Sequence, residues 1–127
     1  MRALELHDTR VLGLRWRETT LVLELDAYVH ESAGVPGIDS GTGWSQRVEV
    51  AVLNATLEQE CPLPLWITDG LLRLGTSELG LVPLPLVSGE RVSAEFRGAE
   101  GVLRFSGEGL EVSSRGDAVF VEDVPAT

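Results

Sequence analysis

Thr19-Thr20-Leu21-Val22-Leu23-Glu24-Leu25-Asp26-Ala27-Tyr28-Val29-His30 alternates without a break. Leu21, Leu23, Leu25, Ala27 and Val29 fall on one side of an extended chain, and Thr20, Val22, Glu24, Asp26, Tyr28 and His30 on the other. Successive strand side chains point to opposite faces, so this is the pattern of a strand with one face in a core and one in water. A helix would scatter the same leucines around its circumference.

The reading extends in both directions. Upstream, Val11-Leu12-Gly13-Leu14-Arg15-Trp16-Arg17 alternates as well, which places Leu12, Leu14 and Trp16 together and predicts a hairpin turning at Glu18-Thr19. Trp16 is therefore expected in the core. Downstream, Ser45–Leu57 carries Val48, Val50 and Val52 inward and Arg47, Glu49 and Ala51 outward. The apolar parity then slips at Leu53, which suggests a bulge or bend. The last third reads as a meander: Arg91–Arg97, a turn at Gly98–Gly101, Val102–Phe105, a turn at Gly107–Gly109, Leu110 and Val112, a turn at Ser114–Asp117, and Ala118–Glu122. No segment keeps a 3.6-residue apolar period; the best helix candidate, Ala55–Glu60, is short and stops at Pro62.

Two stretches break the regularity. Ser32–Gly43, rich in Gly, Ser and Pro, has the composition of a long mobile loop and is the preferred place for a site. In Cys61–Leu86, Pro62, Pro64, Pro83 and Pro85 are incompatible with a central strand, so edge strands and extended connections are expected, with Leu71–Leu74 a strand between them.

Composition bounds the rest. The chain has 127 residues, 43% hydrophobic, with net charge −10. Scaling laws give about 6,600 Å² accessible when folded against about 20,000 Å² unfolded, enough burial for one core. One domain spanning residues 1–127 is expected. The acidic excess is even along the chain, and all ten basic residues are Arg. A field of this sign repels phosphate backbones and anionic headgroups and attracts basic proteins or cations, so nucleic acid is disfavoured as a partner. No apolar run approaches the roughly 20 residues of a membrane helix. The N-terminal residues lack the apolar core of a secretory signal, so a cytoplasmic location is expected. A lone Cys61 provides neither an intrachain disulfide nor a thiolate metal framework.

Few residues point to chemistry. Asp39-Ser40-Gly41-Thr42 matches the short signature of aspartic proteases, but Gly34, Pro36 and Gly37 precede it where that signature follows an apolar strand; an Asx turn is the preferred reading. His7 and His30, each followed by an acid, are the candidate metal ligands, with Glu24 or Asp26 completing the set, although their spacing does not require a metal. Trp44 and Trp66 are the candidate stacking platforms or interface anchors. Arg115-Gly116-Asp117 reads as a hairpin turn and Asn54-Ala55-Thr56 as a sequon inside a strand. Gly41-Thr42-Gly43 lacks the third glycine of a dinucleotide loop.

Leu6-His7-Asp8-Thr9-Arg10-Val11, the two alternating strands after it and Val48-Glu49-Val50 resemble small bacterial uncharacterised β-rich domains that open with an apolar-His-Asp motif. Some of these are presumed immunity proteins of contact-toxin systems. The resemblance covers about the first 55 residues and implies a β-rich binding domain in which His7 and Asp8 are structural.

The fold expected is all-β: a single antiparallel β-sandwich or flattened β-barrel of meander hairpins. The function expected first is docking of a basic protein partner through an acidic face bearing Glu24, Asp26 and Glu49. The alternative is a small-ligand or sugar-binding domain using Trp44, Trp66 and the Asp39 loop. A metal-dependent or aspartic-type hydrolase ranks below both, because no nucleophile–base pair or ligand cluster stands out. No cofactor is expected, and a homodimer formed through a sheet edge is a further possibility.

Overall fold

Arg2–Arg17 (β1) and Thr20–Glu31 (β2) form the expected hairpin, closed by Glu18-Thr19 with Glu18 in the left-handed region at φ 56°. Its β2 half has the expected inward set, Leu21, Leu23, Leu25, Ala27 and Val29, all buried; Val22, expected on the solvent face, is fully buried too, beside the buried Ala51 of β3. In the computed structural model, which describes residues 1–127, the chain continues through Gly41–Val52 (β3), Thr56–Gln59 (β4), Leu65–Trp66 (β5), Asp69–Leu74 (β6), Ser77–Leu79 (β7) and Leu81–Pro83 (β8). It then forms Leu86–Ser88 (β9), Val92–Gly98 (β10), Gly101–Gly107 (β11), Leu110–Ser114 (β12) and Val119–Val124 (β13), with no helix.

These strands make two antiparallel sheets that do not close into a barrel. The first runs β5-β1-β2-β3-β12-β9, with β8 beside the start of β1 and β13 beside the start of β3; the second runs β4-β11-β10-β6-β7. Between them lies a cluster of 24 buried apolar residues. Leucines and valines of β2 and β3 meet Phe96 and Phe105 of the second sheet, whose rings pack edge to face at 5.5 Å. Each side chain buried this fully contributes about 1.5–3 kcal/mol. The accessible surface is 6659 Å², which matches the scaling expectation.

Several local expectations are corrected. The strand expected from Val11 begins at Arg2, and a register shift between Val11 and Gly13 puts Val11 and Leu14, rather than Leu12 and Leu14, opposite the inward Leu25 and Leu23. Trp16 faces Leu21 at the hairpin end and is 49% exposed, so it is not a core residue. The parity slip at Leu53 is a turn, with Asn54 at φ 46°, through which the chain leaves the first sheet and enters the second as β4; the short helix candidate is that strand. Leu71–Leu74 lies in β6, between β10 and β7. The C-terminal meander is interrupted, because β11 belongs to the second sheet and β12 to the first. The turn at Arg115-Gly116-Asp117 is no hairpin either: β12 and β13 both pair with β3, one after the other along its length.

Candidate functional site

The most irregular part of the first sheet is a bulge in β1. Pairing with β2 runs from Glu5↔Tyr28 directly to Arg10↔Asp26, so Leu6–Thr9 stand opposite Ala27 alone. The displaced backbone finds partners elsewhere: the Asp8 N–H donates to Ile67 O at 3.2 Å, the Ile67 N–H to Thr9 O at 2.9 Å, and the Leu6 N–H to Gly80 O at 3.3 Å. Thr9 is fully buried and repairs the gap, its hydroxyl donating to Glu5 O at 2.5 Å and accepting the Tyr28 N–H at 3.2 Å. Asp8 takes a left-handed conformation at φ 73°, which Asp tolerates better than most residues. Leu6 turns into the core while His7 and Asp8 turn out to solvent, 3.2 Å apart.

Beside the bulge, on the outer face of the first sheet, an open cleft of about 420 Å³ is lined by Asp8, Arg10, Asp26, Tyr28, Ser45 and Trp66. Each reaches it through strand register. Trp66 pairs with Arg10 across β5 and β1, while its neighbour Leu65 pairs with Val11 and is buried. The Trp66 indole is thereby left 50% exposed, and its backbone N–H donates to Glu100 at 3.0 Å. The Arg10 guanidinium lies 5.3 Å from the centre of the indole ring and donates to Asp26 Oδ2 at 2.5 Å. Ser45 donates to the other Asp26 oxygen at 3.0 Å. Burial opposes the charge on Asp26, but the bonds from Arg10 and Ser45, with Arg47 nearby, hold its carboxyl below the usual range.

Tyr28 forms the far wall. Its hydroxyl donates to Glu122 at 2.6 Å and its ring meets His30 edge to face at 5.1 Å. Burial and then the Glu122 carboxylate push the phenol above its ordinary value, so it stays protonated. His30 Nε2 is 3.0 Å from Glu5 Oε2.

The rest of this outer face is charged but internally balanced. Glu49, nearly buried, is bonded by Arg15 and Arg115 at 3.1–3.2 Å, and Arg15 also reaches Glu24. Desolvation works against the Glu49 charge, yet the two arginines outweigh it and keep the carboxyl below its usual range. All three acids expected to form an acidic docking face, Glu24, Asp26 and Glu49, are thus paired with arginines.

The remaining candidates scatter. Trp44 pairs with Val29 and points to the opposite face of the sheet from Trp66; it packs edge to face on Phe120 at 5.5 Å and donates to Thr42 at 2.8 Å, so the two indoles share no platform. Asp39 sits in an exposed turn and accepts the N–H of Val35, four residues before it, at 2.6 Å; it closes that turn backwards, so it neither forms the expected Asx turn nor ends a buried strand. The Ser32–Gly43 loop is shorter than expected, because β3 starts at Gly41. It is also tied down: Ser32 donates to Ser40 O at 2.8 Å, and the Thr127 N–H to Ile38 O at 3.0 Å. His7 and His30 line one depression with Glu5 and Asp69, but no three metal-ligating side chains converge. No helix is long and apolar enough to cross a membrane.

Arg10, Tyr28, Ser45 and Asp8 are the site residues that sequence reasoning missed. Only the polar alternation of Asp26-Ala27-Tyr28 signalled an outward position; the partners come from register set by the bulge. No protein-family model, curated protein or solved structure matches the chain.

Proposed function

We propose that the chain is a binding domain for a polyhydroxylated, sugar-like ligand held in the Trp66 cleft. The observation that carries this reading is the half-exposed indole set beside an arginine–carboxylate pair whose donors and acceptors are already oriented. The apolar face of a pyranose ring suits an indole, and adjacent hydroxyls suit the planar fork of Arg10 and the free lone pairs of Asp26. Because Arg10 and Asp26 are held by each other and by Ser45, little side-chain freedom is lost when a ligand arrives.

The same chemistry favours binding over turnover. Asp26 is held ionised by donors on both oxygens, and Tyr28 is held protonated by burial and Glu122. Neither is poised to exchange a proton near neutral pH. A basic protein is less well served by this face, where arginines already neutralise Glu24, Asp26 and Glu49.

The test is tryptophan fluorescence and calorimetric titration with a panel of neutral, amino and acidic saccharides. The expected result is saturable binding that weakens at least about tenfold, or roughly 1.4 kcal/mol, in Trp66→Ala and is unchanged in Trp16→Ala. No binding up to about 10 mM, or equal affinity in Trp66→Ala, overturns the reading.

A further inference from the structure

We infer that the free edge of β13 is a docking lane for an extended, basic segment of a partner protein, added to the first sheet as one more antiparallel strand. The inference is independent of the Trp66 cleft and rests on three observations.

The first is an empty lane. Beyond β3 the sheet edge is shared by β12, opposite Val48–Val52, and β13, opposite Gly41–Ser45. On the β12 half another strand, β9, pairs outside it through Leu86–Ser88. On the β13 half nothing does: β13 pairs with β3 alone, and none of the loop and turn backbone bonds involves it. Alternate N–H and C=O groups along β13 therefore face solvent, in line with the position β9 fills further along.

The second is an apolar run on that strand. Val119, Phe120 and Val121 are 64%, 51% and 49% exposed, an unusual sequence to leave on an open edge. An added strand would cover them while its backbone satisfied the free groups, which is how sheet edges take peptides.

The third is charge, and it selects the occupant. The apolar run is flanked by Asp117, Glu122 and Asp123; Glu122 accepts the Tyr28 hydroxyl, and none of the three takes part in an ion pair. The nearest arginine in sequence, Arg115, is spent on Glu49. A second copy of this chain would bring the same carboxylates and the same net −10 to the edge, and the register irregularity between Phe120 and Glu122 further spoils self-pairing. A strand with β-branched residues at its centre and Lys or Arg towards both ends meets both the apolar run and the acids that flank it.

The probe is a capped ten-residue peptide with valine and threonine at its centre and lysines at both ends, titrated into the isotope-labelled full chain. Backbone amide shifts and hydrogen exchange are read, with a peptide carrying glutamate for lysine as control. The inference predicts saturable shifts and slowed exchange at residues 119–124, weaker at high salt, absent with the glutamate peptide, and about tenfold weaker in Asp117→Lys/Asp123→Lys. It is overturned by no binding, by shifts confined to other strands, or by affinity unchanged in the charge-reversed variant. Slowed exchange at β13 that grows with concentration in the protein alone identifies a second copy as the occupant and overturns it equally.

Discussion

Arg10 lies over the face of Trp66, its guanidinium carbon 5.3 Å from the ring centre, and the same guanidinium donates to Asp26 at 2.5 Å. One side chain thus links β5, β1 and β2 on the outer face of the first sheet. Arg10→Ala removes the stacking and leaves Asp26 with Ser45 as its remaining side-chain partner. Both groups are partly exposed, so solvent screens the pair and the expected loss is about 1 kcal/mol in chemical denaturation. Arg10→Lys keeps the charge but not the planar fork and should recover only part of it. Equal stability of Arg10→Ala and the parent chain would refute the link.

Tyr28 is the only tyrosine in the chain, which makes its ionisation directly visible by ultraviolet absorption. Burial and the bond to Glu122 raise its folded pKa above the unfolded value near 10. A raised pKa contributes stability that is complete below the unfolded value and is lost as pH rises through the folded one. The folded chain should therefore show no tyrosinate band at pH 10, while the chain in denaturant titrates there. Tyr28→Phe should remove the corresponding part of the alkaline loss of stability.

Glu49, Asp26 and Glu95 predict the opposite behaviour in acid. Desolvation resists the charge of the first two, and arginines on neighbouring strands more than offset it; Glu95 is lowered by Arg104 and Arg97. Depressed folded pKa values give stability present above the unfolded values, 4.5 for Glu and 3.8 for Asp, and lost as pH falls through the folded ones. The melting temperature should hold from neutral pH to about pH 5 and fall below that. Glu49→Gln should lower it at neutral pH and make the acid fall shallower; an unchanged acid limb contradicts the assignment.

How far the sequence reveals this molecule depends on the range of the interaction. The inward set of β2 is a local property, because one face must be dry, and it holds from Leu21 to Val29; the outward Val22 is buried as well, which alternation alone does not foresee. The outward set Glu24, Asp26 and Glu49 is legible in the alternation, but its arginine partners are not, because a carboxylate's partner depends on strand register. The bulge at Leu6–Thr9 puts Arg10 beside Asp26, and the Val11/Gly13 shift puts Arg15 within reach of Glu24 and Glu49. Nothing in Leu6-His7-Asp8-Thr9 marks a bulge locally, since its backbone partners, Ile67 and Gly80, arrive from distant turns. The residue type of Trp66 marks it as a candidate, but its face is decided by pairing with Arg10.

Thr9 gives the sharpest test of that bulge. Fully buried, its hydroxyl accepts the Tyr28 N–H that loses its strand partner where β1 swings away, and it donates to Glu5 O. Thr9→Val keeps the shape but strands both backbone groups in a dry setting, at a cost of about 1–3 kcal/mol. Thr9→Ser keeps the hydroxyl and loses one methyl, so about 1 kcal/mol is expected. The order Thr, Ser, Val in stability distinguishes hydrogen bonding from packing, because packing alone would place Val above Ser. Since Tyr28 and Arg10 flank the bulge, Thr9→Val should also speed amide exchange at residue 28 well beyond its effect on β10 and β11. Uniform acceleration across both sheets would mean that the hydroxyl supports global stability without holding the cleft.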